Sequence, residues 1–317
     1  MKVIDHIKKA KGKTLFSFEI LPPVKGQSVQ SIFDAIDPLM EFNPPFIDVT
    51  YHREEYIYKK HPGGLLEKVS TRKRPGTVGI CSAIINKYKV DPVPHIICGG
   101  FTKEETENAL IDLDFLGIDN VLVLRGDAIK SDGRFIPEEG GHHYATDLLD
   151  QVQDLNKGSY LHEEVEGAKT DFCIGVAGYP EKHFEAPNLK TDIKYLKKKI
   201  EMGADYIVTQ MFFDNEKYFE FVDKCREEGI DAPIIPGLKP LATLKQTTVL
   251  PSIFHVDLPD ELMAELDKCK DNKAVRQVGI EWCIKQSKEL MQKGVPSLHY
   301  YTMSKSAATR QIAEALF

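Results

Sequence analysis

The sequence predicts an α/β protein, a (β/α)8 TIM barrel with loop and helix insertions. Eight short apolar runs alternate with amphipathic helical stretches along its 317 residues, and this alternation is typical of a parallel sheet built from βα units. Three of the helical stretches end in one pattern, in which Gly117, Gly203 or Gly229 is followed two residues later by an aspartate and then by an apolar run. Glycine permits the left-handed turn that ends a helix, so a strand begins soon after each one. Barrels of this class need about 250 residues, which leaves about 60 for insertions.

The strands are predicted from apolar runs too short for helices and bounded by proline, glycine or polar residues. The first run contains five large apolar residues with Glu19 among them, and it ends at Pro22 and Pro23. A carboxylate inside such a strand is either half of a structural ion pair or a group near the strand end that faces a ligand. The predicted strands cover residues 14–23, 46–51, 95–98, 120–124, 172–177, 206–213, 233–238 and 298–303.

The helices are predicted from apolar residues that recur at spacings of three and four. Thr102, with Glu105 three residues later, has the spacing of a capping box. Residues 53–75 are charged and irregular and predict a loop with a short helix, and residues 128–143 and 156–171 predict long irregular connections. The predicted helices cover residues 28–42, 78–88, 102–116, 144–155, 189–202, 215–228 and 306–317, with two or three more between 242 and 293.

Composition excludes several classes of protein. The net charge is -7, so nucleic acid is not an expected partner. No stretch of 18 apolar residues is present, and the N-terminus lacks the long apolar core of a leader peptide, so we expect neither a membrane span nor secretion. The six cysteines are scattered without a CxxC pair, which indicates reduced thiols in a cytoplasmic protein. No HExxH occurs, and His142 and His143 are expected to face solvent, so we predict no metal site.

The usual dinucleotide and phosphate-loop motifs are missing. No GxGxxG follows the first strand, and Ile7 stands where the first glycine of a phosphate loop would precede Gly12, Lys13 and Thr14. Any nucleotide would therefore be held by the loops of the barrel.

Polar side chains collect at the predicted strand ends, where a (β/α)8 barrel has its active site. One such group is unremarkable, but this many predicts a site for a large, polar, partly aromatic ligand. Taken singly, His95 could equally be a hydrogen-bonded core histidine, and Gln210 could cap a loop. The residues at these ends are Glu19, Thr50, Tyr51, His95, Arg125, Gly126, Asp127, Tyr179, His183, Gln210 and Lys305.

Eight of these segments resemble, in order, the motifs of methylenetetrahydrofolate reductases. The chain resembles the short bacterial form, and nothing follows residue 317, so the resemblance implies one catalytic barrel over residues 1–317 without the regulatory domain of longer relatives. The matching segments are SFEILPP at 17–23, VTY at 49–51, PH at 94–95, LRGD at 124–127, AGYPEKH at 177–183, TQMFFD at 209–214, IPG at 235–237 and HYYTM at 299–303.

The resemblance implies a flavoprotein of one-carbon metabolism and methionine biosynthesis. FAD would accept a hydride from NADH or NADPH and pass it to 5,10-methylenetetrahydrofolate in a ping-pong reaction that yields 5-methyltetrahydrofolate. Partners would be these small molecules, with self-association common in the family. The implied FAD contacts are Thr50, Tyr51, His95, Leu124, Arg125, Gly126, Asp127, Tyr144, Ala145, Tyr179, His183, Asp192, Lys198 and Lys199; the implied folate contacts are Asp127, Gln210, Gln246 and Lys305.

Three residues are expected to do the chemistry. Opening of the folate imidazolidine ring needs a proton at N10, and Glu19 is the candidate acid if burial favours its protonated form. Asp127 is expected to stabilise the cationic iminium at N5 and to bias the flavin potential. Gln210 is expected to hold the pterin edge or the nicotinamide amide in alternate half-reactions.

Five positions depart from the family pattern, of which Ile20 and Leu21 stand where relatives often carry two phenylalanines, a change in packing. Lys305 replaces a common arginine, which keeps the charge but loses bidentate pairing. Leu250 replaces a ligand-stacking phenylalanine of some members, and Tyr195 replaces an asparagine. Two other interpretations remain: a flavin-free (β/α)8 enzyme such as a phosphate-binding aldolase, and a folate-binding flavoprotein subunit that takes electrons from a partner or ferredoxin.

Overall fold

The strands of the barrel form one parallel sheet that curls into a nearly closed barrel. The computed structural model describes residues 1–129, 133–162 and 169–317. A separate antiparallel hairpin consists of the third and fourth strands. In chain order the strands are β1 (Leu15–Ile20), β2 (Phe46–Val49), β3 (Glu55–Lys60), β4 (Leu66–Thr71), β5 (Asp91–Ile97), β6 (Asn120–Leu124), β7 (Cys173–Gly178), β8 (Tyr206–Thr209), β9 (Ile234–Ile235), β10 (Gly237–Leu238) and β11 (Ser297–Tyr301).

The barrel closes through the seventh of the eight predicted strands, which the structure divides in two. The sheet runs in the order β10, β11, β1, β2, β5, β6, β7, β8 and β9. Only Pro236 separates β9 from β10, and proline cannot donate to a strand ladder, which accounts for the break. Because β9 pairs with β8 and β10 pairs with β11, this one segment joins both ends of the sheet. The predicted (β/α)8 barrel is confirmed.

Helices surround the barrel and fill its connections. The capping box forms, because Thr102 Oγ1 accepts the Glu105 N–H at 3.2 Å and Glu105 Oε2 accepts the Thr102 N–H at 2.8 Å. The helices are α1 (Val3–Lys9), α2 (Gln30–Ile36) followed by a 3-10 turn (Asp37–Phe42), α3 (Thr77–Tyr88), α4 (Lys103–Phe115), α5 (Ala145–Lys157), α6 (Leu189–Glu201), α7 (Asn215–Glu227), α8 (Gln246–Phe254), α9 (Asp260–Leu266), α10 (Asn272–Gln292) and α11 (Ser306–Glu314).

The repeated glycines behave as predicted. Gly117, Gly203 and Gly229 have φ angles of +72°, +102° and +80°, in the left-handed region. Each follows a helix, and the next strand begins three to five residues later, so the Gly-x-Asp pattern marks the turn of a βα unit.

The prediction of a loop with a short helix over residues 53–75 is wrong. This stretch forms the β3–β4 hairpin, with Tyr56 and Tyr58 on its first strand. Aromatic residues favour strands, and Gly63 and Gly64, with φ angles of +85° and +80°, permit the tight connection. The predicted irregular connections at 128–143 and 156–171 lie partly outside the described residues.

Helix α1 closes the N-terminal end of the barrel, a role that the sequence analysis did not predict. Val3 is fully buried in a cluster with Phe46, Val93 and Leu122, which lie on β2, β5 and β6. Asn120 Oδ1 accepts the Val3 N–H at 2.8 Å, so β6 holds the helix directly. The end with the strand carboxyl termini is therefore the end that can receive a ligand.

Strand alternation places Glu19 inside the barrel. Phe16, Phe18 and Ile20 belong to the core between the strands and the outer helices. Ser17 has the opposite orientation, and its hydroxyl lies 3.1 Å from His299 Nδ1 on β11. Since side chains alternate along a strand, Glu19 shares the interior face with Ser17, one step nearer the open end.

Candidate active site

Three titratable side chains meet inside the barrel near its open end. The register pairs Glu19 with Asp48 on β2 and with Tyr301 on β11. His95 on β5 points its Nε2 atom between two carboxylates, 3.4 Å from Asp48 Oδ2 and 3.6 Å from Glu19 Oε2. Glu19, Asp48 and His95 are 8%, 1% and 5% exposed. They form what we call the acid cluster.

Two members of the acid cluster, Glu19 and His95, have raised pKa values. Burial raises the pKa of Glu19 from 4.5 to about 7, although the nearby charges of His95 and Lys239 partly oppose it. Burial alone would lower the pKa of His95, but the neighbouring Asp48 and Glu19 carboxylates outweigh it and raise that pKa. A carboxyl group with a pKa near the working pH is suited to general acid catalysis.

The acid cluster has unused hydrogen-bonding capacity. Neither carboxylate oxygen of Asp48 has a hydrogen-bond partner among the described residues, and the same is true of His95 Nε2. The contacts of His95 with Asp48 and Glu19 thus lie at ion-pair distance without hydrogen-bond geometry. The alternative interpretation of His95 as a fully hydrogen-bonded core histidine therefore does not fit its Nε2 atom.

The turn after β11 fixes the backbone around Glu19. Thr302 Oγ1 donates to the Glu19 carbonyl at 2.6 Å, and the Ser304 hydroxyl bonds both the N–H and the carbonyl of Leu21 at 3.0 and 2.9 Å. Met303 and Ser304 have φ angles of +50° and +56°, which residues other than glycine rarely adopt. These contacts hold the turn in place and leave Lys305 exposed at the rim.

A second group of predicted residues meets at the ends of β6 and β7. Arg125 pairs with Glu185 at 2.6 Å. Tyr179 packs edge to face against His183 with ring centroids 4.8 Å apart, and the His183 N–H donates to Asp192 Oδ2 at 2.8 Å. The loop after β7 is thereby tied to α6.

Lys199 on α6 carries a partly buried ammonium group at this rim. Its Nζ donates to the Ala177 carbonyl at 2.9 Å, and in the described part of the chain no carboxylate lies within ion-pair distance. Burial lowers the pKa of Lys199 to about 8, opposed by Asp192. A partly buried cation with spare donors fits an anionic group such as a flavin diphosphate. Lys198 and Tyr195 on the same helix are exposed.

The turn after β6 requires its glycine. Gly126 has a φ of +85°, and a Cβ there would lie 3.2 Å from Ile97. The turn exposes Asp127. Burial raises the pKa of Tyr179, and Asp192 and Asp127 add to this effect, so Asp127 lies within electrostatic reach of the β7 loop.

The remaining predicted FAD contacts lie around the same open end. Thr50 Oγ1 donates to the Ile20 carbonyl at 3.3 Å, which joins the ends of β1 and β2. The Tyr51 ring lies 4.7 Å from that of Phe101, between centroids. Tyr144 is 62% exposed where α5 begins, and Ala145 follows it. Leu124 is the last residue of β6.

The two glutamines both bond local backbone. Gln210 Oε1 accepts the N–H of Met211 at 3.2 Å, as the loop-cap alternative predicts. Gln246 Oε1 accepts the N–H groups of Ala242 and Thr243 at 2.6 and 3.1 Å, ahead of α8. In both residues these contacts use the carbonyl and leave the amide NH2 to other partners. Leu250, 3% exposed, packs in the core beneath α8.

Sequence reasoning missed Asp48 and Lys239. Asp48 interrupts an apolar strand as Glu19 does, and an aspartate in that setting was the available signal. Burial lowers the pKa of Lys239 to about 8, while Glu19 opposes the change. Both residues therefore act on the charge of Glu19.

The expectation that His142 faces solvent is wrong. His142 is 3% exposed, and its Nε2 lies 2.5 Å from Gln151 Oε1. Across the described ranges, no group of three or more His, Cys, Asp or Glu side chains could hold a metal ion. Nor does any described helix combine the length and hydrophobicity needed to cross a membrane.

Comparison with known proteins decides the family. The family model described as methylenetetrahydrofolate reductase matches residues 2–317. The chain belongs to the methylenetetrahydrofolate reductase family. It is 35% identical to methylenetetrahydrofolate reductase (NADH) 1 of Arabidopsis thaliana, over 96% of this chain and 49% of that protein. It is 29% identical to 5,10-methylenetetrahydrofolate reductase of Escherichia coli, over 98% of this chain and 94% of that protein.

The share of each relative that the chain covers differs between the plant and the bacterial proteins. This family member spans about half the length of the plant relatives and nearly all of the bacterial one. The solved structure of an uncharacterized protein from Clostridium thermocellum, which binds two copies of 5-methyl-5,6,7,8-tetrahydrofolic acid, superposes with a TM-score of 0.57 at 16% identity, over 98% of this chain and 97% of that one. That likeness supports the barrel fold alone.

Proposed function

We propose that this chain reduces 5,10-methylenetetrahydrofolate to 5-methyltetrahydrofolate with NADH or NADPH, through FAD in a ping-pong reaction. One observation carries the proposal beyond family membership. A buried glutamic acid with a pKa of about 7 lies inside the open end of the barrel. The reaction needs a proton at N10 of the folate, and Glu19, with its pKa near neutral pH, is proposed to supply it.

The FAD site is proposed around the rim residues. When bound, FAD would accept a hydride from the nicotinamide and donate one to the folate. Lys199 and Lys198 would neutralise its diphosphate. Tyr179 and His183 form an aromatic pair beside this position. The other proposed contacts are Thr50, Tyr51, His95, Leu124, Arg125, Gly126, Asp127, Tyr144, Ala145 and Asp192.

The proposed folate contacts have separate roles in binding the folate and in its reaction. Glu19 donates its proton at N10, and the imidazolidine ring opens. Asp127, exposed at the turn after β6, is proposed to stabilise the positive charge then left at N5. Gln210 offers its amide NH2 to the pterin, as does Gln246 from the start of α8. Lys305, exposed on the rim, is proposed to attract the glutamate tail.

Broader properties follow from the same proposal. We propose that residues 1–317 form one catalytic domain whose substrates are small molecules. We propose a cytoplasmic enzyme, in keeping with its free cysteines, and one that self-associates, as the family resemblance implies.

Anaerobic spectroscopy on the purified protein tests the proposal. The protein is expected to bind FAD, to lose the visible flavin band on addition of NADH or NADPH, and to recover it on addition of methylenetetrahydrofolate. Comparison of the two nicotinamides identifies the donor. A protein that binds no FAD would contradict the proposal, and so would bound FAD that neither nicotinamide reduces.

A further inference from the structure

We propose that Asp48 is a positioning residue for Glu19: it holds His95 as a cation, and that cation sets the pH range in which Glu19 can donate its proton. This inference rests on the proposed function, because it concerns the group assigned as the acid. Asp48 itself is too deep in the barrel to meet a ligand, since it is 1% exposed.

The geometry gives His95 two anionic neighbours on one atom. Its Nε2 lies 3.4 Å from Asp48 Oδ2 and 3.6 Å from Glu19 Oε2. The positive charge of an imidazolium would lie close to both carboxylates, so it is the form of His95 that both favour. Asp48 has no described hydrogen-bond donor for either oxygen. A buried carboxylate without a partner is costly, so the His95 cation is its compensation.

Among the charges near Glu19, that of His95 has the largest effect on the Glu19 pKa. Burial is the largest effect on the Glu19 pKa; among nearby charges His95 comes first and lowers it, Asp48 comes second and raises it, and Lys239 lowers it further. Among the described residues, the other titratable groups within electrostatic reach of the cluster are Cys81 on α3, Tyr206 on β8, and His299 and Tyr301 on β11.

This arrangement keeps Glu19 useful as an acid. Burial alone would push its pKa further above neutrality, and the carboxyl group would then be a poorer proton donor. The adjacent cation opposes that rise and stabilises the carboxylate that remains after the proton has left. Asp48 therefore acts on the reaction through His95, although its own direct effect on Glu19 has the opposite sign.

The opposite signs make the role testable with Asp48→Asn. If Asp48 acts through His95, the variant loses the stronger, cationic influence as well as the weaker, anionic one, so the Glu19 pKa rises. If Asp48 acts only as a nearby negative charge, the Glu19 pKa falls. An opposite charge at such distances moves a pKa by about 1–3 units, so the upward change is expected to reach about one unit.

Two measurements on the full chain detect the changes in the pKa values of His95 and Glu19. The first is the pKa of His95 from ¹⁵N imidazole NMR, with its signal assigned by its absence in His95→Gln; it is expected to fall in Asp48→Asn. The second is the pH profile of folate-driven flavin reoxidation, whose alkaline limb is expected to move upward. Asp205→Asn removes another partly buried carboxylate, which bonds the Ile174 N–H at the other end of the barrel, and it is expected to move neither.

The two measurements distinguish a failure of the role of Asp48 from a failure of the proposed function. An unchanged His95 pKa, or an alkaline limb that moves down or stays, overturns the role of Asp48. The NMR measurement needs no turnover, so it stands even if flavin or folate chemistry is absent and the proposed function fails. Asp48→Ser also removes the charge while keeping a small polar group, and it serves for both measurements if Asp48→Asn does not fold.

Discussion

At the scale of single residues, the position of Glu19 could be predicted from the sequence, but its partners could not. Its place in a short apolar strand with other polar strand ends predicts a carboxyl at the barrel mouth. Its partner Asp48 depends on the register between β1 and β2, which no local pattern specifies. His95 could be a core residue or a ligand until its Nε2 is placed beside both carboxylates.

Glu19→Gln is predicted to stabilise the protein at alkaline pH. A raised folded-state pKa means that the folded protein binds more protons than the unfolded chain between the two pKa values, so stability is lost as pH rises from 4.5 through about 7. The difference corresponds to about 3 kcal/mol. Denaturant melts at pH 4 and pH 8 should show the variant gaining stability relative to wild type only at the higher pH. A loss at both would contradict the assigned pKa.

Asp127→Asn is predicted to slow folate reduction while the fold is kept, because the turn depends on Gly126. Without the carboxylate, the iminium charge is less stabilised. The flavin potential should rise, since a nearby negative charge disfavours the anionic reduced flavin. Spectroelectrochemistry measures the potential, with Asp223→Asn, an exposed position on α7, as control. A potential equal to wild type would place Asp127 away from the flavin.

Lys305→Ala is predicted to weaken folate binding by about 1 kcal/mol, the scale of an exposed charge contact. Reduction of the flavin by nicotinamide should not change, because the rim after β11 is assigned only to the glutamate tail. Steady-state KM for the folate checks this, with Lys288→Ala on the outer helix α10 as control. The assignment fails if the folate KM is unaffected.

At the scale of elements, regular units were predictable and their exceptions were not. Helices with clear caps lie close to the predicted bounds. Strands after Gly-x-Asp turns begin close to the predicted starts, although β8 ends at Thr209 and not at residue 213. The β3–β4 hairpin was missed because its charged residues outweighed its tyrosines and its Gly63–Gly64 turn. Helix α1 is too short for periodicity to show, and its burial depends on the N-terminal end of the barrel, which only the whole fold creates.

Asn120→Ala is predicted to loosen α1. The Asn120 side chain accepts the Val3 N–H at 2.8 Å and donates to the Met1 carbonyl at 3.0 Å. Loss of both bonds should cost about 2 kcal/mol, and hydrogen exchange of the α1 amides should rise. Asn156→Ala, which also loses bonds to buried backbone, is the control. Equal α1 exchange in both variants would contradict a specific role for Asn120.

At the scale of the whole molecule, the barrel brings distant strand ends together. Glu19, Asp48 and His95 lie on three neighbouring strands. Thr302 and Ser304, near the C-terminus, hydrogen-bond the backbone at Glu19 and Leu21. The sequence predicted the barrel and its active end because eight units repeat one pattern. It could not predict the pKa of Glu19, which depends on the burial and the charges that closure produces.

Rapid mixing of Glu19→Gln, one half-reaction at a time, tests most directly whether Glu19 is the general acid. The variant keeps the size of the side chain but has no proton to donate. Its FAD should be reduced by the nicotinamide at a rate within a few-fold of wild type, since that step needs no proton at N10. Reoxidation by methylenetetrahydrofolate should slow by at least about 10²- to 10⁴-fold. A structural ion pair would instead give a loss of about 3–5 kcal/mol in stability and damage to both half-reactions together, which would contradict the assignment.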